Sequence, residues 1–512
     1  MKNERKKGAV LSYMQVVASV LVNLIYVPVL LHFLGKSEYG LYQIAGSFFS
    51  YVTVFESSMS VGVLRNYCKA LDLHDEKLQN DTLYCAKRIY RALALLIAAV
   101  GLLITIIFRL FYKSSFSPQE LQEGSAILII LFCNMVITIS GSVFLTIITA
   151  HEKFIFIKGL NLLTTCIQPF LVILCVSQWP YAVMIVVVMT VLNLLSVFIR
   201  YFYSTRKLKT RIVQSNSFKD RALVKSIIGL ASTVLLASIA DQIFWKTDQV
   251  ILGKLYNTAV VAVYSVGSQI YMLYMQFGTA ITQVYFPRLS SLYEEKNGIE
   301  KISHLFVSVG RIINFVILLI LTGFIIFGKE FLYFWVGDGY EAAYYVAIVV
   351  MIPFSIDLAQ NLGLPILQIT GRYGFRAKMY FLGAVINILS TIIMSIYFGM
   401  IGAAISTGIA MLITSGFILN WYFYKKVGLN IKMFWKKSFP IICTAAVLTL
   451  LSLWIKSKFI IFSNSLPIFA LEIVIYTIIY FIIMYLLVMD ESEKNLVNTI
   501  FFNKLKKRNS DK

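Results

Sequence analysis

Charged side chains are scarce in this sequence, and their scarcity excludes most soluble folds. Only 14% of the 512 residues are Asp, Glu, Lys or Arg, whereas soluble domains carry about 25%. Apolar runs of about 20 residues follow one another along the chain, and each is long enough to cross the ~30 Å hydrocarbon core as a helix. Membrane β-strands would alternate over about 10 residues instead. The sequence therefore predicts an all-α integral membrane protein with about 14 transmembrane helices.

Cysteine and histidine are also rare, and neither forms a pattern typical of a metal site or a disulfide framework. The six cysteines include no Cys-x-x-Cys pair, and the four histidines share no ligand spacing. The nucleotide-binding motif GxxxxGK[S/T] is absent as well, so we do not expect ATP hydrolysis by this chain. We expect no metal, no organic cofactor and no enzymatic activity.

The positive charges are distributed unevenly. If the N-terminus is cytoplasmic, 38 of the 46 Lys and Arg residues fall on the cytoplasmic side of the predicted helices. Cytoplasmic loops of membrane proteins carry such an excess, so the net charge of +21 is mostly a topology signal. We predict that both termini are cytoplasmic and that basic segments such as KLKKR (504–508) face anionic lipid rather than nucleic acid.

The order of the apolar runs divides the chain into segments. We predict a six-helix N-terminal lobe (1–202), a basic cytoplasmic linker (203–225) and a six-helix C-terminal lobe (226–424). Two appended transmembrane helices (425–489) and a basic cytoplasmic tail (490–512) follow. The two lobes enter the membrane in the same direction, because six helices separate them.

Short matches support two parallel six-helix pseudo-repeats. They pair Leu34-Gly35-Lys36 with Leu252-Gly253-Lys254, Arg65 with Arg288, and the segment after Thr149 with the segment after Thr370. Parallel repeats of this kind place a substrate site between the two halves, near the bilayer midplane.

Acidic side chains inside the predicted helices are candidates for function, because a charge near the bilayer centre costs roughly 2.5–3.5 kcal/mol on insertion scales. These acids are Glu56, Asp241, Asp357 and Glu472, with Asp248 near the outer boundary. Each faces either a cavity or a hydrogen-bonding partner on a neighbouring helix. Glu56 and Arg65 are nine residues apart, half a helical turn out of phase, so they do not pair with each other. Arg65 lies at a helix end, where it can also snorkel to the interface.

Amide side chains form stripes at helical spacing. Gln269, Gln276 and Gln283 recur every seven residues, and Gln360 and Asn361 follow Asp357 by one turn. A milder stripe contains Asn134, Thr138 and Ser142. Such side chains bind sugar hydroxyls or join helices to each other. Lys246, in the outer half of a predicted helix, either binds a phosphate as a point charge or pairs with an acid.

Residues 30–67, LLHFLGKSEYGLYQIAGSFFSYVTVFESSMSVGVLRNY, resemble the start of the Wzx-type polysaccharide-transporter flippases, which handle lipid-linked oligosaccharides. This family belongs with the MATE drug exporters to the MOP exporter superfamily. The shared pattern is the turn from Leu34 to Tyr42, followed by an acid nine residues before Arg65. The family more often has Asp followed by Leu-Gly where this chain has Glu56-Ser-Ser. Segments 246–255, with Asp248, and 383–407, with Asn387, carry further resemblance.

The resemblance implies a MATE-like, V-shaped transporter of the bacterial plasma membrane. It would move an undecaprenyl-pyrophosphate-linked oligosaccharide repeat unit by alternating access, for capsule, exopolysaccharide or O-antigen-like biosynthesis. The expected partners are this glycan lipid, membrane lipids, and a polysaccharide polymerase with its chain-length machinery. The alternative is a MATE-like, cation-coupled multidrug exporter.

The resemblance also gives the polar residues their expected roles. The candidates for H⁺ or Na⁺ coupling are Glu56, Asp241, Asp248 and Asp357. The candidates for substrate binding are Arg65, Lys246, Gln269, Gln276, Arg288, Gln360 and Asn361.

Overall fold

A computed structural model describes residues 2–214, 221–459, 465–495 and 498, and these residues form helices and turns without a strand. In chain order the α-helices are α1 (Lys2–Asp72), α2 (Glu76–Tyr112), α3 (Pro118–Ala150), α4 (Phe154–Gln178), α5 (Ala182–Phe202), α6 (Arg221–Leu255), α7 (Thr258–Glu294), α8 (Gly298–Val336), α9 (Glu341–Ala359), α10 (Gly363–Ile369), α11 (Tyr373–Met411), α12 (Leu419–Tyr422), α13 (Ile431–Phe459) and α14 (Leu466–Leu487). Short π-helical turns occupy Tyr203–Lys207, Leu412–Ile418 and Phe423–Val427.

In the described part of the chain, eleven helical stretches are long and apolar enough to cross a membrane. Two of them each contain two predicted spans, because α1 bends at Gly35 (φ 71°) and α11 bends at Gly399 (φ 61°). The 35-residue helix α6 contains the seventh predicted span. Counting the bent helices twice and adding α6 gives fourteen stretches, and the prediction of an all-α integral membrane protein is confirmed.

The tenth predicted span is broken rather than continuous. Helix α9 ends at Ala359, residues 360–362 form a turn, and α10 begins at Gly363. Pro365 explains the break, because proline has no N–H to donate and its ring crowds the carbonyl four residues earlier, at Asn361. The turn places Gln360 and Asn361 at the end of a helix.

The turn from Leu34 to Tyr42 folds as helix, kink and helix. Gly35 takes a left-handed φ of 71°, which glycine adopts without steric cost. Gly40 lies against the first residue of α7, so closely that a Cβ atom there would be 1.8 Å from the carbonyl oxygen of Thr258. Tyr39 and Leu41 are buried beside it. This motif therefore specifies backbone geometry and close helix packing.

The chain forms two compact units, residues 1–265 with 395–400, and residues 266–394 with 401–512. In the first unit α1 packs on α3, α4 and α6, and in the second α8 packs on α9, α13 and α14. The division falls within α7, so residues 226–265 lie in the first unit. The lobe boundaries proposed from the sequence repeat remain predictions.

Aromatic stacking recurs inside the two units at the same spacing. Phe156 stacks on Tyr203 with ring centroids 3.8 Å apart, and Phe375 stacks on Tyr422 with centroids 3.6 Å apart. The partners are 47 residues apart in both pairs, and the second pair lies 219 residues after the first. This correspondence supports the parallel repeat predicted from the sequence.

Turns of left-handed backbone recur as well. Glu152 (φ 56°) and Gly371 (φ 68°) are also 219 residues apart. His74 (φ 51°) and Asn297 (φ 60°) each follow by nine residues the arginines that were matched in the sequence. Equivalent loops therefore turn through the same backbone conformation in both copies.

A buried ion pair joins α8 to the segment that follows α14. Arg311 donates from Nε to Glu493 Oε1 (2.7 Å) and from Nη2 to Glu493 Oε2 (2.8 Å). Arg311 also donates to the carbonyl oxygens of Lys437 and Val488. Asp490 and Glu493 cap each other, because each backbone N–H donates to the other's carboxylate. This segment is thus held by α8 and α13 together.

Candidate functional sites

Glu56 lies in a cradle of hydroxyl groups in the first unit. Its Oε1 accepts hydrogen bonds from Ser142 on α3 (2.7 Å) and from Ser60, one turn along α1 (3.1 Å). The hydroxyl of Tyr90 on α2 lies 3.3 Å from Ser60 Oγ. The side chain of Glu56 is half-buried, so the site combines an acid with hydroxyl groups from three helices.

Arg200 supplies a positive charge to this acidic site. It lies at the end of α5, within electrostatic reach of Glu56. Its Nη2 donates to Asn161 on α4 (3.3 Å), while its Nε is buried without a hydrogen-bond partner in the described part of the chain. Buried donors are normally satisfied by protein, water or ligand. The guanidinium therefore retains capacity for a further acceptor.

The polar stripe on α3 connects this cradle to α5. Asn193 donates to Asn134 Oδ1 and to Thr138 Oγ1 (2.7 Å), whereas Ser142 donates to Glu56. The spacing of four residues predicted one common face, and the structure gives each member of the stripe a partner. The stripe therefore joins α1, α3 and α5 through polar contacts inside apolar helices.

The candidates on α6 occupy different environments. Asp248 is buried and accepts a hydrogen bond of 2.6 Å from the Tyr264 hydroxyl. Gln249 beside it donates to Ser265. Asp241 and Lys246 are half-buried. Asp241 and Asp248 stay candidates for ion coupling, and Lys246 stays a candidate for substrate binding.

A second polar cluster lies in the other unit, around Asp357 on α9. Asp357 is 9% exposed and lies within electrostatic reach of Ser415 and of Arg376 on α11. Two tyrosine hydroxyls accept from the Arg376 guanidinium, Tyr373 at 2.9 Å and Tyr380 at 3.2 Å. The guanidinium carbon lies 4.6 Å from the centre of the Tyr380 ring, a cation–π contact.

Gln360 and Asn361 follow Asp357 at the broken end of α9. Asn361 donates to Thr282 Oγ1 on α7 (3.1 Å). Gln360 is 2% exposed, and neither amide atom has a hydrogen-bond partner among the described residues. The Nε of Arg376 is likewise buried without a partner there. The cluster therefore offers two donor nitrogens and one acceptor oxygen to a further polar molecule.

The remaining sequence candidates are more peripheral. Arg65 and Arg288 are exposed side chains, and they lie about two turns before the ends of α1 and α7. Gln269 and Gln276 are half-buried on α7. The side chain of Gln283, the third member of that stripe, lies outside the described residues. Their roles remain predictions.

Sequence reasoning missed Arg200 and Arg376, which stand beside the acids in the two clusters. Both belonged to the basic residues that define topology, and nothing in the spacing distinguished them from lipid-facing arginines. The only signal was their position within a turn or two of a predicted helix boundary, next to several aromatic residues. Among the described residues no three His, Cys, Asp or Glu side chains converge on a metal-sized site.

Comparisons with known proteins extend these observations. Residues 5–293, more than half of the chain, match a family model described as polysaccharide biosynthesis protein. A curated relative from Haloferax volcanii, named "Probable low-salt glycan biosynthesis flippase Agl15", is 22% identical over 226 residues. The match covers 41% of this chain and 46% of the relative, so this chain spans less than half of that protein's length.

Two solved structures have the same fold. One is "Lipid II flippase MurJ, inward closed conformation", with a TM-score of 0.70, 16% identity, and coverage of 97% of this chain and 99% of that chain. The other is an inward-facing multidrug resistance MATE family transporter of the MOP superfamily, with a TM-score of 0.65, 15% identity, and coverage of 82% and 96%. At these identities the likeness concerns the fold alone, and it confirms the predicted MATE-like architecture.

Proposed function

Because the chain belongs to the family of polysaccharide biosynthesis proteins, we propose that it is a flippase that carries a lipid-linked oligosaccharide across a membrane. The lipid would be undecaprenyl pyrophosphate, and the membrane would be the bacterial plasma membrane, with both termini in the cytoplasm. The product would be a capsule, an exopolysaccharide or an O-antigen-like polymer, made together with a polymerase and chain-length machinery. The activity is transport and requires no catalytic residue.

One observation carries this proposal: each unit holds an acid, an arginine and several uncharged polar groups among otherwise apolar helices. A sugar head needs many hydrogen-bond partners while it crosses the bilayer, and a pyrophosphate needs cations. Arg200 and Arg376 each keep a buried Nε without a partner in the described chain, and a guanidinium matches phosphate oxygens in charge and geometry. Gln360 adds an unpartnered amide, which suits a sugar hydroxyl.

The two acids are the proposed coupling groups in an alternating-access cycle. Glu56 accepts hydrogen bonds from two hydroxyl groups in the described structure. A proton or a Na⁺ ion taken up at this carboxylate would compete with the hydroxyl donors. Either event would change the contacts between α1 and α3, which is the kind of local change that biases a two-state transporter.

A cation-coupled multidrug exporter is the second candidate, because the MATE transporter has the same fold. That structure covers 82% of this chain, whereas the lipid II flippase covers 97%. The longer match and the family therefore favour the flippase.

The test is deletion of the gene followed by tracing of sugar label in lipid-linked intermediates. We expect intermediates to accumulate on the inner leaflet, with loss of surface polysaccharide and no loss of dye efflux. Unchanged polysaccharide together with lost efflux would establish the exporter instead.

The coupling role is tested by returning variants to the deletion strain. Glu56→Gln should express normally and reduce export about tenfold or more, if proton or sodium binding drives the cycle. Glu300→Gln replaces an exposed acid at the start of α8 and serves as the matched control. Full export by Glu56→Gln would remove this residue from the mechanism.

A further inference from the structure

The second unit contains a cleft between α8, α13 and α14 that the proposed transport function does not use. Its volume is about 190 Å³, and its walls are mainly aliphatic and aromatic. The polar groups that line it come from Ser452, Lys456, Glu472 and Tyr476. On α8 the cleft lies beside Glu330, nineteen residues and therefore about 28 Å from Arg311. The cleft is thus at the opposite end of the unit from the buried ion pair.

The lysine in this cleft is already occupied by protein groups. Lys456 Nζ forms an ion pair with Glu330, which is 3% exposed. The same ammonium donates to the carbonyl oxygen of Ile326 (2.8 Å) and lies 5.1 Å from the centre of the Phe327 ring. Its charge and hydrogen bonds are therefore satisfied, and it has little to offer an anionic ligand.

Glu472 brings a second carboxylate to the same place. It projects from α14 into the cleft and is half-buried. When Glu472 is ionised, two carboxylates and one ammonium leave one negative charge in excess. Since a charge within the apolar part of a membrane is unfavourable unless it is paired or hydrated, the local charge is complementary to a cation.

Exposed aliphatic side chains flank the cleft and show that a cation would reach it from the lipid. The neighbours of Glu472 on α14 are exposed aliphatic side chains, with Leu471 58% exposed and Ile475 48% exposed. Ile455 on α13 is 45% exposed on the other side of the cleft. In a membrane protein such faces contact acyl chains, so the cleft opens towards lipid.

We infer that this cleft binds a membrane lipid whose headgroup carries an ammonium group. The ammonium would pair with the Glu472 carboxylate, and an acyl chain would lie along Ile455, Ile475 and Ile479. An aminophospholipid has this combination of a primary ammonium and long chains. A purely anionic lipid is disfavoured, because the two carboxylates repel it. This inference does not depend on the proposed transport function.

The experiment uses the full-length protein in nanodiscs of phosphatidylglycerol that contain a minor fraction of phosphatidylethanolamine. Native mass spectrometry after partial delipidation measures which lipid stays bound. We expect phosphatidylethanolamine to be retained by the wild type and its apparent affinity to fall about tenfold in Glu472→Gln. Glu300→Gln should retain it as the wild type does. Phosphatidylcholine, whose quaternary ammonium has no N–H, should be retained less well.

A second variant keeps the test independent of the acid. Ile475→Trp fills the cleft while Glu472 is kept, and it should also reduce retention of phosphatidylethanolamine. Equal retention by the wild type and Glu472→Gln, or preferential retention of phosphatidylglycerol, would overturn the inference. If Glu472→Gln does not fold, unchanged retention by Ile475→Trp would overturn it.

Discussion

Replacing Glu493 with Gln should destabilise the second unit strongly, although the change alters only one atom of the side chain. The carboxylate receives two hydrogen bonds from Arg311 and one from the backbone of Asp490. The side chains of Arg311 and Glu493 are 7% and 6% exposed. An amide retains one acceptor oxygen, but its NH₂ group points a donor at a guanidinium that can only donate. A buried positive charge would therefore lose its counter-charge.

Removal of one partner of a buried ion pair costs about 3–5 kcal/mol. We expect about 3 kcal/mol for Glu493→Gln, because the shape is kept and one hydrogen bond survives. The double variant Arg311→Met with Glu493→Met should cost less than either single change, since replacing both charges with apolar groups is often close to neutral. The difference isolates the penalty of an unpaired buried charge from the contribution of packing.

The assay is reversible unfolding of the purified protein in mixed micelles. Hydrogen exchange monitors the segment after α14, residues 490–495, in the same samples. Lys301 and Glu295 form a matched exposed pair, with side chains 48% and 47% exposed, so Glu295→Gln should cost no more than about 1 kcal/mol. If Glu493→Gln proves no more destabilising than Glu295→Gln, the ion pair does not anchor this segment and the reasoning fails.

Two further predictions concern other parts of the structure. Gly40→Ala should abolish or severely reduce the yield of folded protein on size-exclusion chromatography, because its Cβ would lie 1.8 Å from a backbone oxygen. Gly46→Ala has no neighbouring atom within 4 Å and should stabilise the fold by roughly 0.5–1 kcal/mol. Equal yields of the two variants would contradict the close approach at Gly40. Burial acts to raise the pKa of Asp490, but hydrogen bonds from Ser492 and the Glu493 backbone, with the charges of Arg311 and Lys437, hold that pKa below its usual range. Its contribution to stability is therefore complete above the unfolded pKa of about 3.9 and is lost as pH falls through the folded value. The hydrogen-exchange protection of residues 491–495, taken relative to the intrinsic exchange rate at each pH, should therefore fall on acidification in the wild type. In Asp490→Asn this protection should already be lower at neutral pH and should depend less on pH.

Features that depend on spacing along the chain could be predicted from the sequence. The membrane class and number of spans follow from the length of apolar runs, because each helix satisfies its own backbone hydrogen bonds in lipid. The parallel repeat follows from short matches, and the equivalent stacks Phe156–Tyr203 and Phe375–Tyr422 agree with it. The stripe on α3 was visible as a spacing of four residues, because that spacing places side chains on one helical face.

The partners of those side chains could not be predicted in this way. Ser142 lies 86 residues from Glu56, and Glu493 lies 182 residues from Arg311. Apolar helices of similar composition pack in many orders, and composition carries little information about which faces meet. Arg200, Arg311 and Arg376 therefore looked like ordinary basic residues near the membrane surface.

The sequence alone determined that this is a membrane protein, how many helices it has, that their order is repeated, and which family they resemble. The tertiary structure decided which buried polar groups have hydrogen-bond partners in the protein and which could bond to a ligand instead. Asp248 has a tyrosine partner at 2.6 Å, whereas Gln360 and the Nε atoms of two arginines have none among the described residues. The physical reason is that hydropathy and helical period act within one helix, whereas hydrogen bonds between helices depend on neighbours that only packing supplies.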